Sequence, residues 1–279
     1  MTDFLAWIDA LEARHQADLT FTEISRSLRA LSSTYVERRH GLREGAALTG
    51  AGKRAAFALF YGPLHYLLTQ QVVRALPGAA AAAPWLVDLG CGTGASGAAW
   101  ASECREHPQV LGVDRHPWAL AEAARTYRRF GLRARTRQAD MATSALPKSP
   151  ALLLAAFTVN ELPDEGRRAL LPRLVARASR GDRVLVVEPL SGAVAPWWPE
   201  WRDAFLRAGG RADQWRVRVD LPPIVAKLDR ATGLDHRELT GRSLWLTGER
   251  PFPPSPRRRR TAGQGRQRAR ATSVTTGIH

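Results

Sequence analysis

Lysine, cysteine and long apolar runs are scarce in this sequence of 279 residues. Its two cysteines, Cys91 and Cys104, are too few for a disulfide framework or a cysteine-only zinc site. No apolar run reaches the roughly 18 residues that a membrane span requires. The first residues include acids and lack the basic lead of a signal peptide. These absences favour a protein of the reducing cytoplasm that holds no metal and spans no membrane.

Arginine supplies nearly all of the positive charge, because the chain has only three lysines. Lys+Arg number 41 against 26 Asp+Glu, which gives a formal net charge of +15. Seven arginines and no acids lie in residues 251–279, which leaves +8 for residues 1–250. This balance favours an anionic partner, with RNA the commonest. The alternative is that codon usage, and not binding, enriched the chain in arginine and alanine.

Residues 1–80 show apolar residues at helical spacing and are predicted to form a helical cap. In the first helix, Phe4, Leu5, Ile8 and Leu11 are expected on one buried face. A third helix runs from about residue 53, and Pro63 is expected to break or kink it.

Residues 81–250 alternate strand and helix patterns, which predicts a Rossmann-like α/β domain with a mainly parallel sheet. The seven predicted strands, the last of them antiparallel, are 85–89, 110–113, 132–137, 151–157, 183–187, 215–219 and 243–247. Predicted helices cover 95–106, 118–130, 165–178 and 198–208. Residues 251–279, rich in Pro, Gly, Thr and Arg, are predicted to be a disordered tail.

A glycine-rich turn follows the first strand at residues 88–94, Asp-Leu-Gly-Cys-Gly-Thr-Gly. Glycines permit a tight turn and let a ligand approach the backbone, and the next helix offers free N–H groups. The relaxed dinucleotide pattern Gly90-x-Gly92-x-x-Ala95 also fits. The alternate glycines favour S-adenosylmethionine, and so does Asp88, because a pyrophosphate would be repelled by that carboxylate.

Two later acids end strands at positions suited to the same ligand. Asp114 ends the second strand about 20 residues past the glycines, where an acid can accept from both ribose hydroxyls. The alternative role for Asp114 is to cap the helix that opens near Pro117. Asp140 follows the third strand and can accept from the adenine amino group, while Met141 packs on the ring. The alternative for Asp140 is an ordinary loop acid.

Residues 84–248 therefore resemble the class I S-adenosylmethionine-dependent methyltransferases. The resemblance implies S-adenosyl-L-methionine as cofactor and methyl transfer as the activity. The residues expected to bind the cofactor are Asp88, Gly90, Cys91, Gly92, Thr93, Gly94, Asp114, Arg115, Asp140, Met141 and Phe157.

Three short segments carry a narrower resemblance: 61–66 (Tyr-Gly-Pro-Leu-His-Tyr), 157–163 (Phe-Thr-Val-Asn-Glu-Leu-Pro) and 187–189 (Val-Glu-Pro). Together they look like the mitochondrial small-ribosomal-subunit assembly methyltransferase-like family and its bacterial relatives. That resemblance implies ribosomal RNA or a ribosomal particle as partner. The cysteine quartet that holds an iron–sulfur cluster in the mitochondrial members is absent here, so no cluster is expected.

The methyl acceptor has no clear signature in the sequence. The end of strand four lacks both the Asn/Asp-Pro-Pro-aromatic motif of exocyclic amine methylation and a Pro-Cys nucleophile. Asn160 and Glu161 are the catalytic candidates, because strand four ends beside the methyl group in this architecture. Their alternative role is to cap the next helix. Isolated histidines, among them His65, are expected to be surface or packing residues.

The sequence thus favours an S-adenosylmethionine-dependent methyltransferase with RNA, including ribosomal RNA, as acceptor. One alternative is a small-molecule methyltransferase whose helical cap closes over the acceptor. The other is a catalytically silent, cofactor-binding factor of ribosome assembly. An enclosed apolar cavity would favour the small molecule, and a broad basic groove beside the cofactor would favour RNA.

Overall fold

The structure, a computed structural model, describes residues 2–37, 48–148, 150–190, 195–234, 236 and 238–248, with the side chains of 34–37 excepted. The tail predicted at 251–279 lies outside these residues. No helix in the described ranges is both long and apolar enough to cross a lipid bilayer.

A seven-stranded sheet with the order β3-β2-β1-β4-β5-β7-β6 organises the fold. Strands β1 to β5 pair in parallel, and β7 runs antiparallel to its neighbours β5 and β6. The predicted Rossmann-like sheet with an antiparallel last strand is therefore confirmed. The strands are β1 Trp85–Leu89, β2 Gln109–Asp114, β3 Ala134–Gln138, β4 Leu152–Ala156, β5 Arg183–Glu188, β6 Arg211–Val217 and β7 Leu239–Thr247.

Nine α-helices in the described residues surround this sheet. They are α1 Thr2–His15, α2 Phe21–Glu37, α3 Ala51–Ala56, α4 Gly62–Ala75, α5 Ala95–Glu103, α6 Pro117–Arg129, α7 Asp164–Ala178, α8 Trp198–Arg207 and α9 Pro223–Thr232. One sheet face packs on α5, α6, α9 and the N-terminal helices, and the other packs on α7 and α8. Because the first core is continuous from Phe4 to Trp245, the cap is part of the same packed body. The domain boundary near residue 80 stays a prediction.

Helix α1 buries Phe4, Trp7, Ile8 and Leu11, which form one helical stripe at spacings of three and four. The prediction that Leu5 shares this face is wrong, because Leu5 lies off the stripe and is 45% exposed. Polar contacts also join α1 to α6, among them the following two. The Trp7 indole N–H donates to Thr126 Oγ1 at 3.2 Å, and the guanidinium of Arg14 pairs with Glu122.

Pro63 does not end the third helix, contrary to one of the two outcomes predicted for it. Between α3 and α4 the chain forms one wide π-helical turn, Phe57–Tyr61, in which the Gly62 N–H donates to Phe57 O. Such a turn absorbs the hydrogen bond that a proline inside a helix cannot make. The helix therefore continues to Ala75, and Phe57, Tyr61 and His65 are neighbours with ring contacts to one another.

The region after β5 departs most from the predicted elements. Strand β6 begins at Arg211 and β7 at Leu239, each four residues before the predicted start. Strand β6 is a sheet edge with half-exposed polar residues, so its first half has no apolar pattern to read. Helix α9 was absent from the prediction, although Pro223 at its first turn is a favourable start signal.

Gly94 and Gly131 both have a left-handed backbone, but only Gly94 has close neighbours. Substitutions at the two positions can therefore distinguish the cost of backbone strain from the cost of a steric clash. Gly94 has φ +77, and a Cβ there would lie 2.9 Å from Ala123 Cα, whereas Gly131 has φ +65 with nothing within 4 Å. We expect Gly131→Ala to cost about 1 kcal/mol of unfolding free energy from backbone strain alone. Gly94→Ala should cost at least about 1 kcal/mol more, because the added methyl overpacks the α5–α6 contact. Urea unfolding of both variants tests this, and equal losses would contradict it.

Candidate functional site

A cavity of about 390 Å³ opens at the carboxyl ends of β1, β2 and β4. Here the strand order reverses between β1 and β4, which is where ligands bind in open α/β sheets. The N-terminal helices complete the wall with Phe57 and His65. A smaller cavity of about 40 Å³ adjoins it and is lined by Met141. The predicted cofactor residues that line one cavity or both are Asp88, Gly90, Cys91, Gly92, Thr93, Asp114, Arg115, Met141 and Phe157.

Asp88 is the most deeply buried acid of the larger cavity, with 1% exposure. Its Oδ2 accepts from the Gly97 backbone N–H at 3.1 Å and from the Tyr127 hydroxyl at 2.9 Å. Burial raises the pKa of Asp88 to about 7, although these two hydrogen bonds oppose the rise. A Cβ at position 97 would collide with the carboxylate, so glycine is required there. Sequence reasoning missed both Gly97 and Tyr127.

The glycine loop is fastened to the end of β2. The Gly90 and Cys91 N–H groups both donate to Val113 O, at 2.8 and 3.0 Å. Gly90 has φ +69 and passes so close to Thr158 that a Cβ would collide with its hydroxyl. Gly92 has φ +51, and a Cβ there would meet only the Phe57 ring, at 3.8 Å. The backbone of Gly92 therefore lines the cavity with no side chain between it and a ligand.

Asp114 joins this loop to helix α6. Its Oδ2 accepts from the Gly92 N–H at 2.9 Å and its Oδ1 from the His116 N–H at 2.8 Å. The residue that caps α6 is His116, whose Nδ1 accepts from the Trp118 N–H. A carboxylate oxygen can accept more than one hydrogen bond, so Asp114 keeps acceptor capacity for a ligand in the cavity.

Two of the predicted cofactor residues, Gly94 and Asp140, lie outside both cavity linings. Gly94 caps α5 and packs against α6. Asp140 uses Oδ1 to accept from the Ala142 N–H at 2.7 Å and so stabilises its own turn. Their predicted contacts with the cofactor stay predictions.

The two catalytic candidates sit in a short 3₁₀ turn after β4, Val159–Glu161. Asn160 points its amide between two partners: Nδ2 donates to Glu188 at 2.8 Å, and Oδ1 accepts from the Trp197 indole at 2.8 Å. Glu161 lines both cavities. Burial raises its pKa to about 7, the charge of Asp114 adds to the rise, and Arg115 opposes it. Of the two, Glu161 is the one open to a ligand.

His65 lines the larger cavity, although it was expected to be a surface or packing residue. Its ring stacks on Phe157 with centroids 3.8 Å apart and an interplanar angle of 8°. Phe157 has φ +58, the one positive φ among the described non-glycine residues. Burial lowers the pKa of His65 to about 3, so its imidazole is neutral near pH 7. The spacing of Phe57, Tyr61 and His65 in the sequence was the available signal that their rings form one cluster. The π-helical turn Phe57–Tyr61, which determines how these rings are placed, could not be predicted from that spacing.

The cavity wall is acidic, although the whole chain is basic. Asp88, Asp114 and Glu161 supply three carboxyl groups, and Arg115 is the one Arg or Lys among the described lining residues. In the described part of the chain, no three His, Cys, Asp or Glu side chains are grouped as metal ligands would be.

Residues 86–181 match the family model of a methyltransferase domain. Mitomycin 7-O-methyltransferase MmcR has a similar fold, with a TM-score of 0.50 and 16% identity over 86% of this chain and 72% of that one. A proposed O-methyltransferase from Nostoc punctiforme has a TM-score of 0.51 and 14% identity over 79% of this chain and 71% of its own.

No curated protein sequence matches the chain significantly. The narrower resemblance to the mitochondrial assembly family gains no support from these comparisons. The matched domain, the seven-stranded sheet and the glycine loop at its switch point agree with each other. The chain therefore carries a class I methyltransferase domain, whose cofactor is S-adenosylmethionine.

Proposed function

We propose that this protein transfers a methyl group from S-adenosylmethionine to a small molecule that enters the cavity under the N-terminal helices. The observation that carries the proposal is the composition of the wall. Among the described lining residues there are three carboxyl groups and one guanidinium, and the rings of Phe57, His65 and Phe157 form an aromatic side. Such a wall disfavours the phosphates of RNA and suits a small apolar acceptor with a few polar groups.

The described residues fit the cofactor at four places. The bare backbone at Gly92 leaves room for a ligand, and Asp114 has acceptor capacity for hydroxyl groups. Met141 offers an apolar surface in the adjoining cavity, and the carboxyl of Asp88 suits a cationic group. Bound there, the cofactor supplies a methyl group already activated by its sulfonium, so the protein mainly aligns the acceptor and excludes water.

Glu161 is the proposed general base for an acceptor with an O–H or N–H group. Its carboxyl lines the cavity, and a pKa of about 7 matches the requirement that a base titrate near the working pH. Glu161 would take the proton of the acceptor's O–H or N–H group onto a carboxylate oxygen and then lose it to water. The methyl carbon would exchange its bond to the cofactor's sulfur, which keeps the electron pair, for a bond to the acceptor atom. Asn160 holds the turn that carries Glu161, through its bonds to Glu188 and Trp197.

RNA is the second candidate acceptor, and the net charge of +15 favours it. Seven arginines in residues 251–279 can hold phosphates, but with one aromatic residue that segment cannot read bases. A cofactor-binding assembly factor without turnover would have the same charge. An RNA methyltransferase and an assembly factor would each recognise RNA through the surface of the protein, whereas a small-molecule methyltransferase recognises its acceptor in the cavity.

Removal of the Asp114 carboxylate should weaken the cofactor complex. Asp114→Ala loses charge-assisted hydrogen bonds worth about 1.5–3 kcal/mol each, so affinity for S-adenosylhomocysteine should fall at least about tenfold. The control is Asp203→Ala, which removes a half-exposed carboxylate on α8 that pairs with Arg202. Calorimetric titration measures both. An unchanged dissociation constant in folded Asp114→Ala would leave that residue with a structural role only.

Cofactor charge should be visible as proton release. Asp88 and Glu161 have pKa values of about 7, and a cation bound beside them stabilises their ionised forms and lowers these values. Near pH 7, binding of S-adenosylmethionine should therefore release more protons from the protein than binding of S-adenosylhomocysteine, whose sulfur is uncharged. At about pH 9 the excess should vanish, because both groups are already ionised.

Calorimetry in two buffers of different ionisation enthalpy measures this release. Glu161→Gln should reduce the excess, and Glu165→Gln, on the exposed start of α7, is the matched control. Equal release by the two cofactors near pH 7 would contradict a carboxyl-lined methyl site.

RNA binding should be a property of the arginine-rich segment if the small-molecule proposal is right. Affinity should fall steeply with salt, because arginine–phosphate contacts release counterions. Deletion of residues 251–279 should weaken binding to all RNAs equally, flatten the salt slope and leave cofactor affinity unchanged. The measurement is RNA affinity against salt for the full chain and for residues 1–250. Selective binding of one RNA by residues 1–250 would overturn the small-molecule assignment in favour of RNA.

A further inference from the structure

The imidazole of His65 is held rigidly but not by hydrogen bonds. One face stacks on Phe157, and Phe57 meets the ring at 80° with centroids 6.2 Å apart. Tyr61 packs at a third side, with centroids 6.1 Å apart. Aromatic neighbours therefore fix the position and plane of the ring, and its two nitrogens are not needed to hold it in place.

Both ring nitrogens lack a hydrogen-bond partner within the described part of the chain, and neither is sealed from the cavity that the ring lines. A neutral imidazole has one donor and one acceptor nitrogen. Because both nitrogens are open to the cavity, water can pair with them in the free protein, and a ligand that enters the cavity can take the place of that water.

Two uncommon backbone features meet at this ring. The π-helical turn Phe57–Tyr61 lies one turn before His65, and such turns are frequent at functional sites. Phe157, on which the imidazole stacks, has the left-handed backbone at φ +58. Strain of this kind persists where surrounding structure enforces it and clusters at sites of ligand contact. Residues of both features, Phe57 and Phe157, contact the imidazole that lines the cavity.

We propose that His65 binds the methyl acceptor, with a ring nitrogen hydrogen-bonded to the O–H or N–H group that becomes methylated. The inference rests on the proposed function, in which the acceptor enters this cavity. His65 then orients the reacting atom, and Glu161 takes the proton. The expected acceptor class is a flat aromatic ring that bears a hydroxyl or an amino group.

The shape of the wall supports this acceptor class. Phe57 and His65 stand nearly perpendicular, so they form an aromatic corner. A planar ring can pack against Phe57 while a polar substituent in its plane meets the imidazole edge. Such tilted and stacked contacts between rings are favourable beyond the area that they bury. An aliphatic chain or a sugar would fill the corner less well.

The charged and titratable groups around His65 come from several elements. The cavity wall places Asp88, Asp114 and Glu161 on the sheet side, and Arg115 and His116 beyond β2. Tyr61 is the titratable neighbour on the helical side. Burial alone lowers the pKa of His65, so the ring is a neutral hydrogen-bonding group over the working range and Glu161 remains the proton acceptor.

Three variants separate hydrogen bonding from packing. His65→Phe keeps a flat ring on Phe157 but removes both nitrogens, and His65→Gln restores one polar group. His107→Phe makes the same change at an exposed histidine of the loop after α5 and serves as control. Calorimetry should give all three the wild-type affinity for S-adenosylhomocysteine within about twofold. A loss of tenfold or more in His65→Phe would assign His65 to the cofactor and overturn the proposal.

A binding measurement reads the contact directly. Phenol is titrated into the wild-type full chain saturated with S-adenosylhomocysteine, and long-range proton–nitrogen NMR correlation follows the imidazole nitrogens. The His65 signals, assigned by their loss in His65→Phe, should shift, and those of His107 should not. Absence of a shift at His65 while phenol binds elsewhere or not at all would overturn the proposal.

Turnover separates this inference from the function on which it rests. With methyl-labelled cofactor and a panel of phenols and arylamines, His65→Phe should lose about 100-fold in kcat/KM, mostly in kcat, and His65→Gln should recover part of it. Equal methylation by wild type and His65→Phe would overturn the role of His65 alone. Methylation of RNA and of no small aromatic compound would overturn the proposed function, and the phenol titration would still decide the His65 contact.

Discussion

The buried carboxylate of Asp88 is the constraint on which the site depends. One of its oxygens ties β1 to α5 through the Gly97 N–H and to α6 through the Tyr127 hydroxyl. Glycine is required at positions 97 and 94, where a Cβ would collide with Asp88 Oδ2 and lie 2.9 Å from Ala123 Cα, respectively, and a Cβ at Gly112 would crowd Tyr127 at 3.1 Å. The resulting close approach of two helices to the sheet turns the glycine loop toward the cavity. The same contacts therefore determine both the fold at this edge and the space for a ligand.

Concentrating acids at this edge makes the protein sensitive to pH in a defined direction. Burial raises the pKa of Asp88 and Glu161 to about 7 and that of Glu188 to about 8, from ordinary values of 3.8 for Asp and 4.5 for Glu. The folded state thus binds more protons than the unfolded state between those limits, so stability is highest below the unfolded pKa and falls as pH rises through the window. A bound cation offsets this loss, because it stabilises the ionised carboxylates. In the proposed function, the sulfonium of the cofactor is that cation.

The parts of the site that the sequence predicts are those determined by backbone geometry close to one strand. The glycine loop, Asp88 and Asp114 could be placed because a tight strand-to-helix turn and a strand-end acid leave local patterns. Gly97 and Tyr127 could not, because their importance comes from contacts with Asp88 across distant segments. His65 was misread for the same reason, since its partner Phe157 is far away in the chain and a π-helical turn sets its direction. The predicted start of strand β6 was four residues too late, because this edge strand carries arginines and an acid and lacks the apolar alternation of a buried strand.

Two features of the protein favour different acceptors. The acidic, aromatic cavity favours a small molecule, and the net positive charge of the chain favours RNA. In the proposed function the methyl group is transferred in this cavity, so the chemistry of the cavity bears on the acceptor more closely than does charge spread over the surface. The most direct measurement incubates the full chain and methyl-tritiated S-adenosylmethionine with a cell extract that has been separated into an RNA fraction and a small-molecule ultrafiltrate. The account predicts enzyme-dependent label in the ultrafiltrate and none in RNA. Label in RNA alone would contradict it.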